Sequence, residues 1–410
     1  MKILFVTDNF YPETNAPASR TYEHARVWVE AGHSVTVVTT APNFPEGKLF
    51  AGYHNRWWQR ETISGIDVVR VKTYITANEG FIKRTLDYVS FMLAAIVASP
   101  LLPRCDVVIG TSPQFFAALG ARIIAMMRRR PFVFELRDLW PQSIVEVGAL
   151  RSGFVIRMLE ALEMYLYRSA CAVISVTHSF KRELAERGID ARKIEVVQNG
   201  VDLTRFTPGP RDAQLVDELG LTGRFVVGYL GTHGMAHGLD KVLEAAALLR
   251  HRSDIAFIMV GAGAEKRALE RRAQELALTN LSFVARQPRE RMPALLGLCD
   301  LCLVPLRDLA LFRSVLPSKI FEAMAMGTPI LASLPRGEAT GLLEKLGTGE
   351  IVAPEDPAAL AAAIVRLAAD PASLERFRTN AVRVAGDFDR SRLARKMIDA
   401  IARQIGQPES

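Results

Sequence analysis

Cysteine is scarce, with only Cys105, Cys171, Cys299 and Cys302 in 410 residues. So few thiols exclude a disulfide framework and point to a reducing compartment. Cys299 and Cys302 spell C-x-x-C, but no second Cys/His pair follows to complete a zinc site. They fall in the run Leu298 to Val304, read as a strand whose alternation sets the two on opposite faces as core residues. Also missing is an apolar run of the roughly 20 residues that span a bilayer. The nearest stretch, Tyr88 to Pro103, is uncharged and bounded by Lys83, Arg84 and Arg104, which suits a peripheral or buried helix. The opening Met1-Lys2-Ile3-Leu4-Phe5-Val6 turns polar at Thr7-Asp8 without a small-residue cleavage site, so it reads as a first strand and not an export signal. No Ser-His-Asp set or paired catalytic carboxylates stand out, and no metal is implied. The one D-x-D, Asp387-Phe388-Asp389, sits just before the last helical pattern and is read as its cap.

What is present is enough for two cores. At 49% hydrophobic and 23% charged, the chain is far too apolar for disorder and too long for one ordinary domain. A net charge of +7 and an isoelectric point near 9.3 favour an anionic partner, whether nucleic acid, acidic lipid or a phosphate-bearing substrate. Short strand-like runs recur at Ile3 to Thr7, Ser34 to Thr39, Val68 to Val71, Val107 to Ile109, Phe132 to Glu135, Ala172 to Val176 and Ile194 to Val197. Helical periodicity fills most of the gaps, as in Ala18 to Glu30 and Phe154 to Arg168. After the turn-rich stretch Asn199 to Pro210 the pattern restarts, with runs at Phe225 to Tyr229, Ile255 to Val260, Leu281 to Val284, Leu301 to Val304, Pro329 to Ala332 and Glu350 to Val352. This alternation predicts an α/β protein of two Rossmann-like, doubly wound domains. We place them at residues 1–205 and 206–385, with 386–410 a C-terminal helix packing back on the first. Ligands of such sheets bind at the strand carboxyl ends, so two facing domains imply a cleft lined by the loops of both.

Several loops at those ends carry candidate chemistry. The run Phe225 to Leu230 leads into Gly231-Thr232-His233-Gly234-Met235-Ala236-His237-Gly238, and a helical pattern follows. Glycines at such a junction let backbone N–H groups approach a phosphate, with the helix dipole behind them; the alternative is an ordinary tight turn. Gly261-Ala262-Gly263 also follows a strand, but Lys266 replaces the third glycine of a dinucleotide fingerprint. In Leu316 to Pro329, Pro317 and Ser318 start a helix that Gly327 and Pro329 stop. Lys319 and Glu322, three apart, share a face. A lysine beside helix N–H groups suits a diphosphate, and a carboxylate one turn on suits a ribose diol; the alternative is a surface ion pair. In the first half, Arg137-Asp138-Leu139-Trp140-Pro141 follows a strand, and its aromatic and charged groups suit a sugar wall, unless Asp138 caps the next helix. The first loop, Asn9 to Arg20, is long for its place, which hints at function.

These segments, with Gly32-His33-Ser34-Val35-Thr36-Val37, Asn199-Gly200-Val201-Asp202 and Glu322-Ala323-Met324-Ala325-Met326-Gly327, resemble the family 4 retaining glycosyltransferases of the GT-B fold. Within that family they are similar to the bacterial WbuB-like transferases of surface-polysaccharide assembly. The resemblance spans nearly the whole chain. It implies a nucleotide-diphosphate sugar donor, UDP-linked, with Glu322 holding the ribose and Lys319, Ser318, Gly231, Thr232, His233, Gly234 and His237 around the diphosphate. Arg286 and Gln287 would flank the base. Asn15, Arg20, Arg137, Asp138 and Trp140 are the acceptor-side candidates, and Asp138, Lys319 and Glu322 the catalytic ones. The implied acceptor is a polyprenyl-diphosphate-linked saccharide, reached by peripheral docking on the cytoplasmic face of the inner membrane, with no nucleic acid partner. Phe81, Ile82, Lys83, Arg84 and the cluster Arg128-Arg129-Arg130 are the candidate docking residues. Retention in this family needs no protein nucleophile and no metal, the leaving diphosphate helping to deprotonate the acceptor. Two departures stand out. Ser314 lies where the family usually has its earlier glutamate, and the Arg and Lys of the phosphate loop are absent, His237 standing near the lysine position. Two other readings remain: a nucleotide-sugar epimerase of the same fold and a catalytically silent partner subunit.

Overall fold

The computed structural model describes residues 1–44, 46–76, 81–112, 114–139 and 153–406. The chain divides into two compact units, Met1–Gln198 with Arg390–Ser410, and Asn199–Asp389. The last helix is thus part of the first unit.

In the first unit the elements run β1 (Lys2–Val6), α1 (Ala16–Glu30), β2 (Ser34–Thr40), β3 (Trp58–Ile63), β4 (Ile66–Val71), α2 (Phe81–Ala98), β5 (Val107–Thr111), α3 (Phe115–Arg128), β6 (Phe132–Leu136), α4 (Gly153–Ser169), β7 (Ala172–Ser175), α5 (His178–Glu186) and β8 (Ile194–Val196). They form an eight-stranded sheet ordered β3-β4-β2-β1-β5-β6-β7-β8. Only β3 pairs antiparallel; it is an edge strand carrying Arg60 and Glu61, charges that blunt further pairing. The central strands β1 and β5 are almost wholly apolar and buried, as expected where helices cover both faces. Ile3 and Phe5 face one core with Trp28 of α1, whereas Leu4 and Val6 face the other with Phe91, Ala121 and Tyr167. The α3 helix lies so close to β5 that a Cβ at Gly110 would stand 2.6 Å from the Ala121 Cβ.

The second unit runs α6 (Ala213–Glu218), β9 (Phe225–Leu230), α7 (Leu239–Leu248), β10 (Ile255–Val260), α8 (Lys266–Glu275), β11 (Leu281–Val284), α9 (Met292–Gly297), β12 (Leu301–Pro305), α10 (Ser318–Ala325), β13 (Ile330–Ser333), α11 (Glu338–Leu346), β14 (Gly349–Val352), α12 (Pro357–Ala368) and α13 (Pro371–Ala385). Its sheet, ordered β11-β10-β9-β12-β13-β14, is parallel throughout. The chain then returns to the first unit as α14 (Arg390–Gln404). There Trp28 of α1 donates its Nε1–H to the Ala394 carbonyl at 2.8 Å, and Met397, Ile398 and Ile401 join the core. Phe388 of the D-x-D segment is a core wedge against Phe321, ring centroids 4.9 Å apart.

Cys299 and Cys302 do not lie on opposite faces as the alternation argument expects, since both bury in one core cluster. The reason is local: β12 begins at Leu301, so Cys299 belongs to the turn before it and strand alternation does not apply. All four thiols are free. Among the described residues no single helix is long and apolar enough to cross a membrane. One bent pair, Pro357–Ala368 with Pro371–Phe388, has the composition but turns by 94°, and Leu360, Ile364 and Leu367 are core residues of the second unit.

Candidate functional site

At the carboxyl end of β9 the loop from Gly231 to Gly238 is held by its neighbour. The Gly231 N–H donates to Val260 O at 2.9 Å, His233 N–H to Ala262 O at 2.9 Å and Glu265 N–H to His233 O at 3.0 Å. This lacing explains Gly261-Ala262-Gly263. A Cβ at Gly261 would sit 1.9 Å from Gly231 O, and one at Gly263 2.3 Å from His233 O. Both glycines therefore serve the fit of one strand-end loop against the next. Lys266 ties the brace down, its Nζ donating to Gly261 O at 3.0 Å and Val284 O at 3.3 Å.

Against this loop stands Lys319, near the start of α10. Its Nζ lies 3.9 Å from the centroid of the Tyr229 ring, a cation–π contact. A Cβ at Gly231 would stand 3.1 Å from that Nζ, so glycine here leaves the ammonium room. The residue as a whole is half-buried, but its Nζ is shut off from solvent and has no hydrogen-bond acceptor. Burial pulls its pKa down to about 8, opposed by the Cys302 thiol and Glu322 carboxylate. A buried ammonium without an anion is costly, and that cost is relieved by an anionic ligand.

Two histidines complete this wall. His233 is fully buried, with both ring nitrogens unpartnered and its ring 5.8 Å from Tyr229 and 6.1 Å from Phe283. His237 is half-buried, its Nδ1 3.3 Å from the Pro305 carbonyl and its ring 5.7 Å from Tyr229. Each is held neutral with a pKa of about 4, first by burial and then by nearby lysines, Lys266 and Lys319 for His233 and Lys319 for His237. Thr232 is exposed, and its carbonyl takes the Tyr229 hydroxyl at 2.6 Å. Glu322 is half-buried on the same face of α10, within electrostatic reach of Lys319.

Both halves match glycosyltransferase families. Residues 15–200 match a glycosyl transferase 4-like domain and residues 213–384 the glycosyl transferases group 1. The chain is built of two glycosyltransferase domains. It is similar, at 28% identity over 89% of its length and 91% of the relative's, to WcaI of Escherichia coli (strain K12), named for colanic acid biosynthesis glycosyl transfer. It is likewise similar to WbjE of Pseudomonas aeruginosa, named as a glycosyltransferase, at 28% identity over 63% of this chain and 65% of that one. The fold is that of HepE from Anabaena, solved with UDP-glucose, at a TM-score of 0.73 and 19% identity over 98% of this chain and 100% of the other. These neighbours have the GT-B fold.

The remaining residues singled out in this glycosyltransferase are placed unevenly. Arg286 and Gln287 lie just past β11 at the same sheet end; Gln287 accepts from Arg291 Nη1 at 3.2 Å. Ser314 makes a local bond, its hydroxyl donating to Leu311 O at 3.1 Å. In the first unit Asn15 is the N-cap of α1, accepting from Ala18 N–H at 2.9 Å. Arg20 is an internal brace, 4% exposed, donating to Glu135 Oε1 at 2.8 Å, Gln198 O at 3.0 Å and Val197 O at 3.1 Å. Arg137 keeps an enclosed Nη1 without a partner among the described residues, and burial lowers its pKa to about 10 against the pull of Glu135. Asp138 is half-buried behind it, its backbone N–H donating to Ser112 Oγ at 3.2 Å. Trp140 and the helix that Asp138 was read as capping lie outside the described residues.

Sequence reasoning missed a carboxylate group around the first loop. Glu13 is 4% exposed; its Oε1 accepts from Asn43 and Phe44 N–H at 2.8 and 2.9 Å, while Oε2 has no partner. Burial raises Glu13 and Asp87 each to about 7, and Asp8 is raised as well. The available signal was the pair of acids Asp8 and Glu13 beside a strand end, and Asp87, the one acid of α2, at the head of its apolar stretch.

Proposed function

We propose that this glycosyltransferase moves a sugar, of the N-acetylated amino or deoxyamino kind, from a UDP-linked donor to a polyprenyl-diphosphate-linked saccharide. The product belongs to surface-polysaccharide biosynthesis of the WbuB-like type. The observation that carries the donor half is Lys319: an enclosed ammonium facing a glycine-opened loop, with no anion of its own. The UDP-glucose in HepE and the naming of WcaI for colanic acid biosynthesis support the donor class and the pathway.

In this reading Glu322 accepts hydrogen bonds from the ribose diol, Lys319 neutralises the diphosphate, and Arg286 and Gln287 flank the base. As the bond from sugar to diphosphate breaks, charge grows on the leaving oxygen, where a fixed ammonium stabilises it more than in the ground state. The departing diphosphate takes the acceptor proton on the same face, which retains the anomeric configuration. On the acceptor side, Arg137, whose Nη1 has no partner among the described residues, and Asp138 meet the acceptor, and Asn15 shapes the first loop.

The lipid-linked acceptor rests on α2. Its inner face, Phe91, Ala95 and Ala98, is core. Its outer face carries Leu86, Leu93 and Val97, 53%, 53% and 78% exposed, with Leu101 just beyond at 71%. These positions repeat at helical spacing and form one stripe. Lys83 and Arg84 are exposed at one end. At the other, Arg104, Arg128 and Arg130 line a 410 Å³ pocket with Met127. Apolar stripes between basic groups suit an anionic headgroup layer, here the cytoplasmic leaflet, at about 1 kcal/mol per cation. Arg128 is a brace within that surface, donating to Ser99 O at 2.8 Å and Leu102 O at 3.1 Å.

The deciding experiment incubates purified protein with UDP-, GDP- and dTDP-linked sugars and a synthetic polyprenyl-diphosphate saccharide. Transfer with retained configuration from a UDP-linked donor is expected. Transfer only to water-soluble acceptors, or isomerised donor without transfer, overturns the proposal.

A further inference from the structure

The phosphate loop presents titratable side chains to a site built for an anion. We propose that His237 binds the donor diphosphate as an imidazolium, so that the donor enters the site together with a proton. The inference rests on the donor site proposed above and adds how that site reaches charge balance.

The geometry of the imidazole carries it. Nδ1 lies 3.3 Å from the Pro305 carbonyl, which can only accept, so Nδ1 holds the hydrogen. In the neutral ring Nε2 is then a bare lone pair. A phosphate oxygen also only accepts, so it meets that lone pair with repulsion. Swapping the tautomer to offer Nε2–H would strip the Pro305 carbonyl of its donor. Protonation resolves both demands, because the imidazolium donates from Nδ1 to Pro305 and from Nε2 to the diphosphate.

The surroundings set the direction of the linkage. Lys319 acts on His237 from α10, His233 from the same loop, and Tyr229 lies against its ring from β9. Beyond it Arg307, whose N–H donates to Ala236 O at 3.0 Å, pairs with Asp240 of α7 at 3.8 Å. The charges nearest the ring are positive, and the free protein keeps it neutral, with a pKa of about 4. A diphosphate reverses the sign of that field and raises the value, so protons are taken up between the free and the bound pKa. His233 is not the group concerned: it is fully buried and packed between Tyr229 and Phe283, leaving a ligand no approach to its ring.

The test is titration calorimetry of the full chain near pH 6.5, in two buffers of different ionisation enthalpy, with whichever of UDP-, GDP- and dTDP-glucose binds tightest. A sugar-linked diphosphate keeps its full charge at this pH, and Lys319 is already protonated, so neither contributes. We expect roughly one proton taken up per donor and affinity falling roughly tenfold per pH unit from about pH 5 to 6.5. His237→Lys should keep tight binding and lose both the uptake and the slope, and His237→Gln should lose the uptake with weakened binding; melting curves verify that both fold. Binding without uptake in the wild type overturns this inference alone. Uptake that persists in both His237 variants, or that vanishes in His233→Asn, assigns the proton elsewhere and also overturns it. A wild type that binds none of the three at any pH removes the donor-site reading and the inference with it.

Discussion

Replacing Lys319 by Met should make the free protein more stable while making it a poorer nucleotide binder. Methionine keeps the aliphatic stem and leaves a thioether in contact with the Tyr229 ring, so packing is nearly conserved and the charge alone is removed. The size of the effect follows from the fold's reluctance to hold that charge. A lysine brought from 10.5 to about 8 is disfavoured in its charged form by roughly 3 kcal/mol, at about 1.4 kcal/mol per unit. Lysine with a lowered folded pKa binds fewer protons than in the unfolded chain between about pH 8 and 10.5, so wild-type stability rises with pH across that window. Below pH 8 the full penalty is present. The gain from Lys319→Met is therefore largest at neutral pH, of order 1 to 3 kcal/mol, and shrinks towards pH 10. Denaturant unfolding at pH 7.5 and 9.5 measures it. The other half of the prediction is a loss of one charge-assisted contact worth roughly 1.5 to 3 kcal/mol, a ten- to hundred-fold weaker Kd for nucleotide sugars with little change for the nucleoside. A variant less stable than wild type at neutral pH, or one binding nucleoside and nucleotide with equal losses, refutes the reasoning that Lys319 waits for a diphosphate.

Glu322→Ala should remove the ribose contacts and weaken nucleoside and nucleotide alike, by roughly tenfold or more; unchanged affinity in a folded variant takes Glu322 out of the site. Glu13→Gln should raise stability at pH 8 but not at pH 4.5, because a carboxyl raised to about 7 binds more protons folded than unfolded, and stability is lost as pH rises between its ordinary value and 7. Equal effects at both pH values would mean that the Glu13 charge is not what the fold resists. Leu93→Ser with Val97→Ser should abolish co-sedimentation with anionic liposomes at low salt, and Arg104, Arg129 and Arg130 changed to Ser should weaken it. Arg128 is left intact because it holds the carbonyls at the end of α2. Undiminished binding by both sets shows that this face does not dock.

The fold was legible because its signals are local. A buried parallel strand needs a short aliphatic run, a crossover helix needs a 3.6-residue period, and both survive reading one segment at a time. The C-x-x-C failed for the opposite reason: alternation was carried two residues beyond the strand run Leu301 to Val304, into the turn that holds Cys299. The site divides the same way. Lys319 and Glu322 sit one turn apart on one helix, so their partnership is written in their spacing. Arg20 reads identically to an anion-binding arginine until the fold brings Glu135 and the carbonyls of Val197 and Gln198 to it from distant strands. Arg137, two residues past Glu135 and just beyond the same strand, finds no such set among the described residues and keeps an enclosed N–H unpartnered there. The distinction between a brace and a binder is therefore not a property of residue type or motif. It depends on which donors remain after folding, and Lys319 in one domain and Arg137 in the other are among the buried donors left without a partner among the described residues.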